Sequence, residues 1–277
     1  MKKILAVLAG LAICASASAD YSAGFEAAEG YSGSSSGIVM TGQQDWYVPV
    51  EGSNDYYVHN YLGNPYGFAF HPGGGQQLAI GASLGGSAFA RAQHDYDWSA
   101  ATEWTVTYDV AVLHVGDEDG TDYLGSFSLQ PSATSRYWQT LFRWDDLADP
   151  DTWTMSYYGV EDDTGTLYAL PGLSAGAAWE GLSSNHWYRS STTFDMTTSM
   201  VTSVSLTDLA TMETTTVEPD GWYMAGTFVG NPDPTGFRFF TGGGTEGNVV
   251  AWDNLGIVPE PTSVLLVLAG ALLLRRR

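Results

Sequence analysis

Residues 104–115 read WTVTYDVAVLHV. In an extended chain Trp104, Val106, Tyr108, Val110, Val112 and His114 fall on one side, and Thr105, Thr107, Asp109, Ala111 and Leu113 on the other. Alternation of this length, rich in β-branched and aromatic residues, predicts a strand buried on at least one face. A turn over 116–122 follows, then a second alternating run at 124–130, LGSFSLQ, closed by Pro131. The two runs are expected to pair as an antiparallel hairpin with a long loop.

Working outward, further strands are expected at roughly ten-residue spacing. They lie at 21–26, at 47–48 after Trp46, at 78–81 and 89–91, then at 137–144, 152–158, 187–195, 200–208 and 211–217. The last two are separated only by Leu209-Ala210 and read as a hairpin. A closing pair, GFRFF at 236–240 and VVAWDNLGI at 249–257, flanks a glycine-rich loop. No stretch of the interior shows long helical periodicity, a linker composition or a 20–50-residue repeat. The pattern predicts an all-β fold, a two-sheet antiparallel jelly-roll sandwich over residues 20–257.

Charge narrows the possible partners. The 277-residue chain has 31 acidic side chains and 10 basic ones. Thirty of the acids, but only Arg91, Arg136, Arg143, Arg189 and Arg238 among the cations, fall within 20–257. So acidic a body repels nucleic acid and anionic lipid head groups, which makes both poor partners. It suits a soluble secreted protein, with divalent cations as candidate ligands.

Both ends carry targeting patterns. Lys2 and Lys3, an apolar run over 4–13 and the A-x-A site Ala17-Ser18-Ala19 form a secretory signal peptide spanning 1–19. Cys14 leaves a lipoprotein alternative open, with 11–14 as lipobox, though Ile13 is bulky for the position before the cysteine. Cleavage after Ala19 removes the only cysteine, so the exported body holds together without disulfides. At the other end, 258–277 reads VPEPTSVLLVLAGALLLRRR. Residues 262–274 as a helix would be about 20 Å long, short for a permanent span of a bilayer core of about 30 Å. Arg275, Arg276 and Arg277 would stay on the cytoplasmic side, leaving the body outside.

Pro259-Glu260-Pro261, the short apolar helix and the terminal arginine cluster together resemble the PEP-CTERM sorting signal. That resemblance implies export in an exopolysaccharide-producing Gram-negative bacterium and a transient inner-membrane anchor. It also implies an exosortase-type membrane protease as partner, with release to the cell surface or extracellular matrix. A second resemblance covers most of the body. Phe25-Glu26, the run 125–131, Asn185-His186-Trp187-Tyr188-Arg189 and Trp252-Asp253-Asn254-Leu255 are similar to concanavalin A-like or LamG-type jelly rolls. It implies fold more than activity.

Three chemistries were weighed. Glycanases on such sandwiches place carboxylates at alternate positions of one strand; Glu103 and Asp109 are spaced wrongly, and 161–163 reads as a turn. The histidines (59, 71, 94, 114 and 186) are scattered, and neither a G-x-S-x-G elbow nor an HExxH zinc site occurs. No catalytic residue is assigned, and the chain is expected not to be an enzyme. For calcium, Asp117, Asp119 and Asp122 around Gly120 form one candidate, departing from the EF-hand spacing. Asp145-Asp146 with Asp149 and Asp151 is a less specific one. Sandwiches of the resembled type imply a structural Ca²⁺ between the terminal strands, to which Glu26 and Asp253 would contribute. Carbohydrate binding requires aromatic rings exposed on a sheet face. Most of the ten tryptophans are expected in the core, with Trp98, beside Asp95 and Asp97, as one that could be exposed. The expected role is a surface or matrix protein associated with exopolysaccharide; a lectin-like binding module and a divergent glycanase are the alternatives.

Overall fold

The computed structural model describes residues 20–83, 89–115, 123–130, 136–145, 151–160, 172–224, 234–242 and 247–260. In chain order its strands are β1 (Tyr21–Ala23), β2 (Ile38–Val39), β3 (Tyr57–Asn60), β4 (Gln77–Ser83), β5 (Ala90–Asp95), β6 (Glu103–His114), β7 (Tyr123–Gln130) and β8 (Trp138–Trp144). They continue with β9 (Thr152–Tyr158), β10 (Gly172–Leu173), β11 (Leu182–Ser183), β12 (Tyr188–Asp195), β13 (Met200–Asp208), β14 (Thr214–Val217), β15 (Gly236–Thr241) and β16 (Asn248–Pro259). One sheet runs β14-β13-β12-β6-β16-β4-β3-β2, with β1 also on β16; the other runs β10-β9-β8-β7-β15-β5, with β11 also on β9. All strand pairs are antiparallel, so the jelly-roll sandwich read from the sequence is the fold. Among the described residues no helix is long and apolar enough to cross a membrane.

The core lies between the sheets. Trp104, Val106, Tyr108, Val110 and Val112 of β6 face Phe127, Phe142, Phe237 and Phe239 of the second sheet, with Trp252 of β16 stacked on Phe239 at 4.3 Å. Gly81 of β4 is required by this packing: a Cβ there would sit 2.2 Å from the Tyr56 ring. That ring is fully buried, and its hydroxyl bonds Thr241 Oγ1 at 2.5 Å.

Four expectations are corrected. β6 and β7 are not a hairpin. β6 lies between β12 and β16 in one sheet, and β7 lies between β8 and β15 in the other. β6 therefore finds its partners among strands remote in sequence. Residues 47–48 form no strand; Tyr47 makes only an isolated bridge to Gln93. β5 extends to Asp95, where a loop was expected. Finally, the last strand continues past 257: Pro259 is in register with Trp104, Glu260 N–H bonds Glu103 O at 2.9 Å, and Thr105 Oγ1 donates to Glu260 Oε1 at 2.6 Å. The second pairing, β13 with β14, is a hairpin as read.

The outer face of the nine-stranded sheet is also covered. The segment 61–76 lies over it, so that Tyr61 and Phe68 pack with Leu78, Ile80, Ala111, Trp187 and Val249 in a second apolar cluster. Hence the far side of β6, with Asp109 and Ala111, is buried rather than solvated.

Candidate functional site

The open face of the seven-stranded sheet forms a groove of about 340 Å³. Alternation puts Tyr123, Ser126, Ser128 and Gln130 of β7 on this face, with Gln139 of β8 and Arg238 and Phe240 of β15, while their neighbours Phe127, Leu129, Phe237 and Phe239 enter the core. Arg91 of β5, Arg136 and Val50 complete the lining. Arg143 of β8 alternates with Phe142 and projects to the same side. Four of the five arginines in the body therefore belong to one sheet face.

Arg91 and Arg136 are held by neutral groups. Arg91 sits 5.0 Å from the Phe89 ring and 5.1 Å from that of Phe240, and its Nη1 donates to Ser53 Oγ. Arg136 lies 5.2 Å from the Tyr158 ring. Arg238 directs Nε and Nη2 to Gln93 Oε1 at 3.0 and 2.5 Å. Burial, then repulsion from Arg91 and Arg136, brings the Arg238 guanidinium down to about 10. Beyond it, Gln93 Nε2 donates to Tyr47 Oη at 2.7 Å, and that hydroxyl donates to Asp95 Oδ1 at 2.7 Å. Burial and Asp95 push the Tyr47 phenol up to about 12. On the floor, Gln139 Nε2 reaches Tyr123 Oη and Ser126 Oγ at 2.6 and 2.5 Å, leaving its buried Oε1 without a partner. Tyr123 and Phe240 stack at 5.5 Å. The groove thus exposes the guanidinium of Arg136 and part of Arg91, Tyr123 and Phe240, while its amides and serine hydroxyls form a buried floor.

The opposite sheet carries a buried charge cluster that acts as a clamp. Arg189 of β12 donates Nε and Nη2 to the two oxygens of Asp109 at 2.7 and 2.8 Å. His71, on the covering segment, lies 2.8 Å from the same carboxylate and packs edge-on against Trp187. A bulge in β16 sets Asn254 at φ 47°, so its side chain also reaches Asp109, at 3.0 Å. Burial alone would raise the Asp109 pKa; the hydrogen bonds of Arg189 and His71 outweigh it and hold the carboxyl below its ordinary range. Next to it, Asp253 accepts from Tyr61 Oη at 2.8 Å and Asn254 N–H at 2.7 Å. Burial pushes Asp253 up to about 7.

The structure brings Glu26 and Asp253 together: a Cβ on Gly75 would lie 2.9 Å from Glu26 Oε1 and 3.6 Å from Asp253 Oδ2. Their surroundings are donors, however. Glu26 Oε1 accepts the N–H groups of Gln76 and Gln77 at 2.6 and 3.1 Å. Calcium needs six to eight oxygens, and among the described residues no three of His, Cys, Asp and Glu gather to hold a metal. As placed, the pair does not fit the ion. Asp117, Asp119 and Asp122 lie outside the described residues, as do Ala17, Ala19, Pro261 and Arg275, Arg276 and Arg277. Of the weaker candidates, Asp145 accepts from Thr154 Oγ1 and Gly181 N–H in a turn.

The histidines remain apart. His94 stacks on Phe237, His186 bonds Asp208 at 2.9 Å, and His114 bonds Asn248 at 3.1 Å. Trp98, expected to be a candidate for exposure, is 1% exposed. Tryptophan therefore supplies core, and the rings in the groove are tyrosine and phenylalanine. Sequence reading missed the groove because its members come from separate strands; the signal available was the alternation of 236–240, which places Arg238 opposite Phe237 and Phe239.

No protein-family model matches the chain, and no curated protein does. Among solved structures it is similar to lectin II from Ulex europaeus, at 12% identity over 87% of this chain and 99% of that one, with a TM-score of 0.47. It is also similar to an alginate lyase from Aplysia kurodai, at 13% identity over 67% and 84%, TM-score 0.43. A third is a carbohydrate esterase from the Shiga toxin-encoding bacteriophage phi24B, at 11% identity over 78% and 91%, TM-score 0.43. At such values the likenesses carry nothing about the groove, and the fold stands on its own two sheets.

Proposed function

We propose that this chain is an exported, non-enzymatic sandwich that holds extracellular polysaccharide in the groove of its seven-stranded sheet. The carrying observation is the composition of that groove: the half-buried Tyr123–Phe240 ring pair with Arg91 and the exposed Arg136 beside it, over a buried layer of amides and hydroxyls from Gln139, Gln130, Ser126 and Ser128. Sugars present hydroxyls at their edges and C–H surfaces on their faces, and both find partners here. Hydrolysis of a glycosidic bond ordinarily uses two carboxyl groups flanking it; among the described residues that line the groove there is none, which supports binding over cleavage. The signal peptide and PEP-CTERM-like tail supply the address: export, a transient inner-membrane anchor, cleavage by an exosortase-type protease, then the cell surface or matrix.

Native electrophoresis of the mature body through gels containing polysaccharides tests the binding role. Retardation by at least one glycan, reduced by Tyr123→Phe and Phe240→Ala, is the expected result. Unchanged mobility in neutral and acidic glycans alike would remove the proposal. Intact-mass analysis of membrane and extracellular fractions tests the address; an uncut C-terminus confined to membranes would make the tail a plain anchor.

A further inference from the structure

The arginines of the body are not distributed by chance. Thirty acidic side chains and five arginines make up its charge, and no lysine occurs between 20 and 257. One arginine, Arg189, neutralises the buried Asp109 in the nine-stranded sheet. Arg91, Arg136 and Arg238 converge on the groove, close enough to repel one another. Among the described residues no carboxylate forms an ion pair with Arg91 or Arg136. In a protein so acidic, gathering cations around one groove costs repulsion at Arg238, and Arg91 and Arg136 stand there without a carboxylate partner among the described residues. Aromatic rings fix the positions of Arg91 and Arg136 without cancelling their charge.

We propose that the groove selects a polysaccharide bearing carboxylates, with uronic acid groups seated on Arg91 and Arg136. This rests on the glycan-binding reading above and names its ligand class. A planar guanidinium pairs with a carboxylate through two parallel hydrogen bonds, which a neutral sugar cannot offer. Nucleic acid is a poorer fit, since duplex DNA carries a charge every ~1.7 Å of axis and the surrounding body repels so dense a polyanion. A uronan carries one charge per ring, and its C–H faces can use the half-buried Tyr123 and Phe240 rings.

The test is calorimetric titration of the mature body with oligogalacturonate and oligoguluronate, each against the same oligomer with its carboxyls reduced to alcohols. At least one uronate is expected to bind roughly tenfold or more tighter than its reduced form, a difference of about 1.4 kcal/mol. Arg136→Gln, at an exposed position, and Arg91→Gln should each weaken the uronate by about tenfold and leave the reduced form unaffected. Near-UV circular dichroism checks that both variants remain folded. Equal affinity for uronate and reduced oligomer, insensitive to both variants, overturns the anionic ligand while leaving glycan binding in place. Binding of neither, by a body that also ignores other glycans, overturns the underlying reading instead. Polyphosphate or single-stranded DNA binding as tightly as the uronate would make the groove a general polyanion site and overturn the sugar assignment.

Discussion

Replacing Arg189 by leucine strands the carboxylate of Asp109, which has no solvent exposure, beneath the covering segment. Breaking a buried ion pair from one side costs about 3–5 kcal/mol when both partners are fully enclosed. Here the arginine side chain is 39% exposed, so water can enter part of the vacated space, and His71 and Asn254 still bond the acid. The expected loss is therefore about 2–4 kcal/mol. Asp109→Asn combined with Arg189→Leu removes the stranded charge while keeping an acceptor for His71. This double variant should be more stable than Arg189→Leu alone, with a coupling energy of about 2 kcal/mol in the cycle. Urea unfolding of the mature body at neutral pH reads these differences as shifts in midpoint at constant slope. An Arg189→Leu cost below about 1 kcal/mol, or a double variant with the summed loss of both singles, would refute the clamp.

Acid should weaken the same clamp. The folded Asp109 carboxyl sits below its ordinary range, so its contribution is present above the unfolded value and is lost as pH falls through the folded one; Asp109→Asn should lessen that part of the acid transition. Asp253 runs the other way: raised to about 7 from 3.8, it favours the fold below about pH 4 and loses that contribution as pH rises to about 7, by at most about 4 kcal/mol. Asp253→Asn should therefore gain on the wild type between pH 5 and 8 in melting experiments; a pH-independent difference would contradict this, and a Ca²⁺-dependent gain that the variant loses would place a cation there. Gly81→Ala drives a methyl into the Tyr56 ring and should cost about 1–3 kcal/mol by thermal unfolding. Ending the chain after Val258 rather than Glu260 removes the bond to Glu103 and the Thr105–Glu260 contact and should cost about 1 kcal/mol; equal stability would show the strand end to be idle.

How far the fold was legible shows in β6. Its alternation specified a strand and even which residues share a face, because a pleated chain puts alternate side chains on opposite sides whatever surrounds it. It did not specify the neighbours. Pairing with β12 and β16, rather than with the next run in sequence, depends on which sheet each strand joins once the core closes. The same limit hid the clamp: Asp109, Arg189, His71 and Asn254 lie on four separate segments, and nothing local announces a segment covering Asp109 and Ala111 of β6.

Sequence by itself determined the all-β class and the acidity of the body, since composition and period-two alternation are properties of the chain alone. Tertiary structure decided which sheet holds each strand, that Trp98 is buried, and that Glu260 joins the last strand. Above all it decided that three arginines separated by up to 147 positions line one groove. Contacts between remote residues arise only from the joint packing of two sheets, which no local stretch encodes.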